Sequence, residues 1–391
     1  MIIEPANRLS HIQEYYFATK LRELRNRMSK GEDIINLGIG SPDMMPSDET
    51  IKTLIHTSVE PAHHGYQPYK GIPRLRMGFA QWYQNTYGVE LNPETEILPL
   101  MGSKEGIMHI SLAFLNPGDH VLVPDPGYPT YVSNTRMAGA EPVFYPLSEE
   151  TNWAPDLDAL EKLDLSRVKL MWVNYPHMPT GANGSPDLFE KLVDFGRRNQ
   201  ILICHDNPYS LVLNDHPVSI LEVQGARDCV VELNSLSKSH NMAGWRVGMV
   251  AGRQDYIDTI LRVKSNMDSG MFLPLQEAAA TALENGYEWH RERNSEYQVR
   301  RRIVEKMLDA LNCTFNKDQV GMFVWARIPE SEESGEAFSD LLLDKCSVFL
   351  TPGFVFGGQG HRYIRASLCT PKERLQEALT RILEFQLEVV K

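Results

Sequence analysis

Short apolar runs alternate with segments of helical periodicity between residues 97 and 280. The runs cover residues 97–101, 120–124, 141–146, 168–174, 201–206, 228–234 and 246–252. Near-continuous apolar runs predict strands that are buried on both faces, and helix-length connections between them predict parallel neighbours. The pattern therefore predicts an α/β fold with a mostly parallel seven-stranded sheet covered by helices.

The segments on either side of this region follow different patterns. Residues 11–29 carry apolar positions at helical spacing, and a loop rich in Gly, Pro and Asp follows over 36–49. The chain beyond Gly286 reads as helix 287–311, strands 323–328, 348–353 and 363–368, and helix 371–390. We therefore predict a large domain over 46–285 and a smaller α+β domain formed by 1–45 and 286–391.

Composition narrows the class of protein. The net charge is −12, whereas nucleic acids and anionic membranes are bound by clustered cations, so neither is an expected partner. Five cysteines lie scattered without a C-x-x-C pair, which predicts buried thiols in a reducing compartment, and we predict no metal site. The N-terminus lacks a signal-peptide pattern and no apolar stretch reaches 18 residues, so we expect a cytoplasmic protein that does not span a membrane.

Chemically suggestive residues follow the predicted strands at the points where these strands end. They include, in chain order, Gly102, Ser103, Lys104, Tyr128, the segment 175–181, Asp206, Ser235 and Lys238. Open α/β sheets bind ligands beyond the carboxyl ends of their strands. The sequence therefore predicts one site to which several strand ends contribute.

Lys238 is the most informative candidate residue. It lies in NSLSKSHNMAGWRVG, residues 234–248, together with Ser235, Ser237 and Arg246. A buried lysine near other cations is nucleophilic enough to bind an aldehyde cofactor as a Schiff base. A bidentate arginine and short hydroxyl donors are suited to hold a phosphate dianion.

A second anion-binding element and a buried carboxylate support the same interpretation. Gly102, Ser103 and Lys104 begin a predicted helix, where free N–H groups and the helix dipole favour an anion, although no Walker loop is present. Asp206 ends a buried strand, where a carboxylate is unfavourable unless it is paired. Opposite a pyridine nitrogen, Asp206 would keep that nitrogen protonated and so support carbanion chemistry.

The pattern S-x-S-K-x(6)-W-R-x-G around Lys238 resembles the lysine signature of class I/II pyridoxal-phosphate-dependent aminotransferases, which have fold type I. The resemblance extends over most of the chain and is strongest to the aspartate/alanine and LL-diaminopimelate aminotransferase branch. It implies that Lys238 binds pyridoxal 5'-phosphate, that Tyr128 stacks on the cofactor ring and that Tyr209 donates to its phenolic oxygen. The residues that it assigns to the cofactor are Tyr66, Gly102, Ser103, Lys104, Tyr128, Met178, Asp206, Tyr209, Ser235, Ser237, Lys238 and Arg246.

The resemblance also assigns residues outside the strand ends. Arg365 in YIRASL matches the arginine that binds the substrate α-carboxylate, and the backbone of Gly40 meets the same carboxylate. Tyr66 matches a tyrosine that reaches the phosphate in the neighbouring subunit, and Ser269 or Asn266 crosses the same interface. The resemblance therefore implies a homodimer with shared active sites.

The segment NYPHMPTGA, residues 174–182, departs from the family pattern at one position. Met178 replaces the asparagine that donates a hydrogen bond to the phenolic oxygen of the cofactor, and a thioether cannot donate. We hypothesise that the lost donor raises the pKa of the lysine–cofactor linkage. Tyr209 would then carry this role alone, or with help from His177.

The resemblance implies an aminotransferase that moves an amino group between an L-amino acid and a 2-oxo acid, with 2-oxoglutarate and glutamate as one pair. The donor stays open, because no motif marks a second arginine for a side-chain carboxylate. A carbon–sulfur β-lyase is an alternative, since it would share Lys238, Asp206 and Arg365. A non-catalytic cofactor-binding module of a transcriptional regulator is disfavoured, because the chain shows no basic DNA-binding segment.

Overall fold

A computed structural model describes residues 3–9 and 16–389. The helices of this part are α1 Tyr16–Ser29, α2 Asp48–Ser58, α3 Pro73–Tyr87, α4 Ser103–Phe114, α5 Pro129–Met137, α6 Leu157–Leu160, α7 Pro186–Asn199, α8 Leu236–Ser239, α9 Gln254–Lys264, α10 Leu273–Leu283, α11 Tyr287–Ala310, α12 Gly335–Cys346 and α13 Lys372–Val389. The strands are β1 Ile35–Asn36, β2 Ile97–Leu100, β3 His120–Asp125, β4 Glu141–Pro146, β5 Val168–Asn174, β6 Leu202–Asp206, β7 Val230–Ser235, β8 Gly248–Gly252, β9 Phe323–Arg327, β10 Val348–Phe349, β11 Thr351–Pro352 and β12 Tyr363–Ser367. Within the predicted helix 11–29, residues 11–15 lie outside the described residues.

The large sheet contains seven strands of the described chain, in the order β2-β8-β7-β6-β5-β3-β4. The neighbours from β7 to β4 pair in parallel, whereas β8 runs antiparallel to both β2 and β7. The predicted mostly parallel sheet is therefore confirmed. Because β8 is reversed, its first residue lies at the same edge as the last residues of its neighbours, and Gly248 pairs with both Leu100 and Ser235.

Helices cover both faces of this sheet because each central strand presents apolar side chains on alternating sides. In β3, Val121 and Val123 pack on the face covered by α4, α5 and α9. Leu122 between them packs on the opposite face, against the core that includes residues of α3, α7 and α10. All residues of β6 and β7 are buried. The polar residues that end these strands, Asp206 and Ser235, are therefore buried as well.

Two smaller sheets lie outside the large one. β11, β12 and β9 form an antiparallel sheet, and β1 pairs in parallel with β10. The strand predicted over 348–353 is therefore two short strands in different sheets. The pairing of β1 with β10 supports the proposal that residues 1–45 belong with 286–391, although the boundaries stay a prediction.

The strands beside the site begin later than predicted. β7 and β8 start two residues after the predicted starts at 228 and 246. Arg246 has a φ of 59°, in the left-handed region, so the extended conformation begins only beyond it. In the described ranges, none of the helices has both the length and the apolar composition required to cross a bilayer.

Candidate active site

A cavity of about 400 Å³ lies at the edge where β5, β6 and β7 end. Lys238, Asp206 and Arg246 line it from the large sheet. Arg365 of β12 and the backbone around Gly40 line it from the other part of the chain. The convergence predicted from the strand ends is present in the structure.

The side chain of Lys238 projects into this cavity from the short helix α8. The helix begins at Ser235, whose hydroxyl accepts from the Ser237 N–H at 3.1 Å. The Lys238 ammonium donates to the carbonyl of Gly40. Burial, together with the guanidinium groups of Arg365 and Arg246, lowers the pKa of Lys238 to about 8. An appreciable neutral fraction at neutral pH makes this amine a nucleophile and a base.

An anion cup lies beside Lys238, formed by hydroxyls, Arg246 and the start of α4. Arg246 Nη1 lies 3.2 Å from Ser237 Oγ and donates to the Ala243 carbonyl at 2.9 Å. Gly102 precedes α4 with a φ of 88°, and a Cβ there would lie 2.1 Å from Arg246 Nη2. A side chain at position 102 would therefore displace the Arg246 guanidinium, and Ser103 and Lys104 line the same cavity.

Asp206 offers one carboxylate oxygen to a ligand. The Tyr131 hydroxyl donates to Oδ2 at 2.9 Å, whereas buried Oδ1 has no hydrogen-bond partner among the described residues. Burial raises the pKa of Asp206 to about 6, so the carboxylate is still mostly ionised at pH 7. A protonated pyridine nitrogen is the kind of donor that Oδ1 lacks, and this oxygen fits the predicted cofactor.

Two tyrosines line the cavity near Asp206. The ring of Tyr128 meets that of Tyr131 edge to face at 5.6 Å, and the Tyr209 ring packs on Phe323 at 6.0 Å. Burial raises the pKa of both Tyr128 and Tyr209. Each hydroxyl therefore stays protonated at neutral pH and can donate a hydrogen bond.

Arg365 is held between two aromatic rings. Its guanidinium carbon lies 3.9 Å from the ring centre of Phe323 and 4.6 Å from that of Phe356. Nη2 donates to the Gly38 carbonyl at 2.8 Å, and Nη1 lies 3.2 Å from the sulfur of Met178. The planar group is fixed in orientation and can bind a carboxylate through two parallel hydrogen bonds.

The structure separates some predicted residues from this cavity. Tyr66 is 94% exposed, and neither Asn266 nor Ser269 lines the cavity, as expected for residues proposed to act across an interface. His177 also does not line it: Nδ1 pairs with Thr180 Oγ1 at 2.7 Å, and burial lowers its pKa to about 3. His177 is therefore not placed to assist Tyr209, contrary to the hypothesis above.

Sequence reasoning missed several residues of the site. Tyr131 donates to Asp206, and the Asn174 amide donates to the Asp206 carbonyl at 2.6 Å. Phe323 and Phe356 enclose Arg365. Asn174 is the first residue of the segment 174–182 that resembles the family, so its role could have been predicted from that motif. No local pattern marks the two phenylalanines.

Comparison with known proteins identifies the family. The family model "Aminotransferase class I and II" matches residues 32–382. An LL-diaminopimelate aminotransferase from Dehalococcoides mccartyi is 39% identical over 97% of this chain and 98% of the relative. Another from Nitratidesulfovibrio vulgaris is 42% identical over 96% of this chain and 98% of the relative. The substrate-bound structure of BacF from Bacillus subtilis has a TM-score of 0.93 at 36% identity, with 99% of this chain and 98% of that chain covered.

The matches span nearly the whole chain and agree with the cavity. The unpartnered oxygen of Asp206, the low pKa of Lys238 and the anion cup are the features that pyridoxal phosphate requires. Nothing in the comparisons supports the carbon–sulfur lyase alternative. The chain belongs to the class I and II aminotransferases and is a pyridoxal-phosphate-dependent aminotransferase that acts on amino acid and 2-oxo acid substrates.

Proposed function

We propose that the amino donor is LL-diaminopimelate and that 2-oxoglutarate is the acceptor. The observation that carries this proposal is the similarity to proteins named LL-diaminopimelate aminotransferase, at about 40% identity and over nearly the full length of both chains. The cavity adds a fixed arginine for the α-carboxylate, which every α-amino acid and 2-oxo acid presents.

Each part of the cavity has a role in the proposed reaction. Bound pyridoxal phosphate supplies an electron sink that acidifies the α C–H bond of the substrate. Lys238 Nζ takes this proton, because its lowered pKa makes it a base near neutral pH. Asp206 Oδ1 accepts the hydrogen bond of the ring nitrogen, and Arg365 holds the α-carboxylate.

The remaining residues hold and orient the cofactor. The phosphate would accept hydrogen bonds from Arg246, Ser235 and Ser237. The start of α4, where Gly102, Ser103 and Lys104 lie, would add its backbone N–H groups. Tyr128, which lines the cavity, would pack against the ring, and Tyr209 would donate to its phenolic oxygen. Because Met178 cannot donate, Tyr209 supplies that hydrogen bond without the second donor found in the family.

We further propose a homodimer. Large apolar side chains are exposed on α2, on the chain around Tyr66 and on the loop before α10, namely Ile55, Val59, Tyr66, Tyr69, Met267 and Phe272. The chain around Tyr66 and the loop before α10 are adjacent, since the rings of His64 and Phe272 lie 5.7 Å apart and the Gly270 position abuts the backbone of Gln67. Extended apolar patches mark interfaces, and this one carries the tyrosine that we propose serves the partner site.

The cysteines support a reducing compartment. All five are free and buried, which confirms the thiols predicted from their spacing. Thiols persist in the cytoplasm, and we propose that the enzyme works there.

A panel of amino donors tests the proposed substrate. Purified enzyme is supplied with 2-oxoglutarate and with LL-diaminopimelate, aspartate, alanine or an aromatic amino acid, and glutamate formation is measured. We expect LL-diaminopimelate to give the highest kcat/KM, and Arg365→Gln to raise KM for both substrates because each loses its carboxylate partner. A higher kcat/KM for aspartate or alanine would overturn the donor and leave the reaction type unchanged.

A further inference from the structure

Three side chains of types that ligate metals, Glu105, His109 and Asp268, lie close together outside the cavity. Glu105 and His109 are four residues apart on α4, and Asp268 lies on the loop between α9 and α10. One ligating atom from each lies within 4.8 Å of the others. The i,i+4 spacing places the first two on one helix face, and the fold supplies the third.

Two of these residues are buried without complete hydrogen bonding. His109 is 1% exposed, and neither ring nitrogen has a hydrogen-bond partner among the described residues. Its Nε2 lies 3.3 Å from Glu105 Oε1 without the alignment of a hydrogen bond. The side chain of Asp268 is 6% exposed, and its Oδ2 also has no partner within the described chain. Buried polar groups normally have hydrogen-bond or ligand partners, so these atoms are available to bind an ion.

The other oxygen of each carboxylate is already held by neighbouring groups. Glu105 Oε2 accepts from the Met101 N–H at 2.7 Å. Asp268 Oδ1 accepts from the buried Lys264 ammonium at 2.6 Å and from the Gly270 N–H at 2.9 Å. These contacts fix the positions of both carboxylates beside His109, as outer partners do around metal ligands.

We propose that Glu105, His109 and Asp268 bind a divalent transition cation of the Zn²⁺ type. Ligand bonds of about 2.05 Å in a tetrahedron place neighbouring ligand atoms about 3.3 Å apart, which matches the Nε2–Oε1 distance. Two carboxylates against one ammonium leave a negative charge, and an imidazole favours Zn²⁺ over the oxygen-seeking Mg²⁺ and Ca²⁺. Water completes the fourth position.

The ion would have a structural role near the cofactor. It would join α4, whose first residues form the anion cup, to the loop that carries the exposed Met267. The spacing of the cysteines could not reveal this site, because two of its ligands lie on α4 and the third lies on a loop that is distant in sequence. The prediction that the chain has no metal site rested on those cysteines, and the proposal replaces it.

Metal retention in the tag-free holoenzyme tests the proposal. The protein is stripped with a chelator, incubated with micromolar Zn²⁺ and passed through a desalting column, and its zinc and cofactor contents are measured by mass spectrometry and absorbance. We expect about one Zn²⁺ per chain and a higher Tm than in the stripped enzyme. His109→Gln and Asp268→Asn should lose the zinc.

Two further variants keep the result interpretable. Glu105→Gln retains an acceptor for the Met101 N–H and leaves the helix surface polar, so it should fold and still lose zinc retention. The control is His120→Gln, because His120 Nε2 lies 3.7 Å from a Glu141 carboxylate oxygen in a His–Glu pair between β3 and β4, away from the proposed site, and zinc retention should be unchanged. Wild-type enzyme that retains no zinc after incubation with Zn²⁺ and desalting would overturn the proposal, as would equal zinc retention in wild type and Glu105→Gln.

Discussion

Met178 is the residue at which this chain differs from its family in a way that spectroscopy can detect. Its sulfur lies 3.2 Å from Arg365 Nη1 and cannot donate to the cofactor. We predict that Met178→Asn lowers the pKa of the visible cofactor band by about one to two units, because one added hydrogen bond to a charged oxygen contributes about 1.5–3 kcal/mol. A donor withdraws charge from that oxygen and weakens its hold on the neighbouring proton.

The measurement is a pH titration of the visible absorbance of the wild-type and variant holoenzymes. Met178→Leu is the matched control, since it changes shape without adding a donor, and its pKa should equal that of the wild type. Identical pKa values in wild type and Met178→Asn would contradict the proposed role of this position.

Lys238 provides the pH prediction. Its pKa is lowered from 10.5 to about 8 by burial and by two neighbouring guanidinium groups. Because only the neutral amine attacks an aldehyde, the rate at which cofactor-free enzyme binds pyridoxal phosphate should rise as pH increases through about 8 and then level off. Stopped-flow absorbance between pH 6 and pH 10.5 measures this rate. A rate that still rises steeply near pH 10 would show that the pKa of Lys238 is not lowered, and would contradict the prediction.

The residues that the sequence identified are those whose roles rest on local motifs. Lys238, Asp206 and Arg246 lie in short segments with diagnostic spacing, and the structure brings them to one cavity. Tyr131 and Phe356 could not be found in this way. Tyr131 contacts Asp206, which is distant in sequence, and Phe356 contacts Arg365 without a shared motif. These contacts are created by tertiary packing, which no local pattern reports.

At the scale of the elements, the turn from β2 into α4 requires a residue without a side chain beside Arg246. Gly102 has a φ of 88°, and a Cβ would lie 2.1 Å from Arg246 Nη2. We predict that Gly102→Ala displaces Arg246 and weakens pyridoxal phosphate binding by about 10- to 100-fold, the loss expected for one charge-assisted hydrogen bond. Equilibrium titration of cofactor-free enzyme measures the Kd.

Gly88→Ala is the control that distinguishes displacement of Arg246 from the effect of backbone strain alone. Gly88 ends α3 with a φ of 68°, and a Cβ there has no atom within 4 Å. Gly88→Ala should lose about 1 kcal/mol of stability, because alanine is disfavoured in the left-handed region. Gly102→Ala should lose about 1–3 kcal/mol, because a φ of 88° with a ψ of 155° is a conformation essentially restricted to glycine. Only Gly102→Ala should change the Kd. An equal change in both variants would assign the effect to strain.

Whether a segment forms a strand or a helix could be predicted more reliably than the neighbour with which each strand pairs. All seven apolar runs became strands of one sheet, because buried strands carry a strong local pattern. The reversal of β8 and the division of 348–353 into β10 and β11 could not be read in this way. Both depend on which distant strand supplies the hydrogen bonds, and that choice is made by tertiary packing.

At the scale of the whole molecule, the cavity is assembled from both parts of the chain. Lys238 projects from the end of the large sheet, while Arg365 and Gly40 approach from the smaller sheets. Substrate binding at Arg365 is therefore linked to contacts between these parts. A second chain would complete the site if Tyr66, which is exposed on an apolar patch, reaches the partner cup.

Subunit mixing tests this arrangement directly. Lys238→Ala and Tyr66→Phe chains are co-expressed with different tags, and the mixed dimer is isolated by two affinity steps. If Tyr66 serves the partner site, one site of the mixed dimer has both defects and the other has none, so at limiting cofactor we expect about half of the wild-type activity. A mixed dimer of Lys238→Ala and Asp206→Ala is the control. Both of those residues act within their own chain, so each of its sites keeps a defect and little activity should return. If Tyr66 instead acts within its own chain, the first mixture should be no more active per intact lysine than the Tyr66→Phe enzyme.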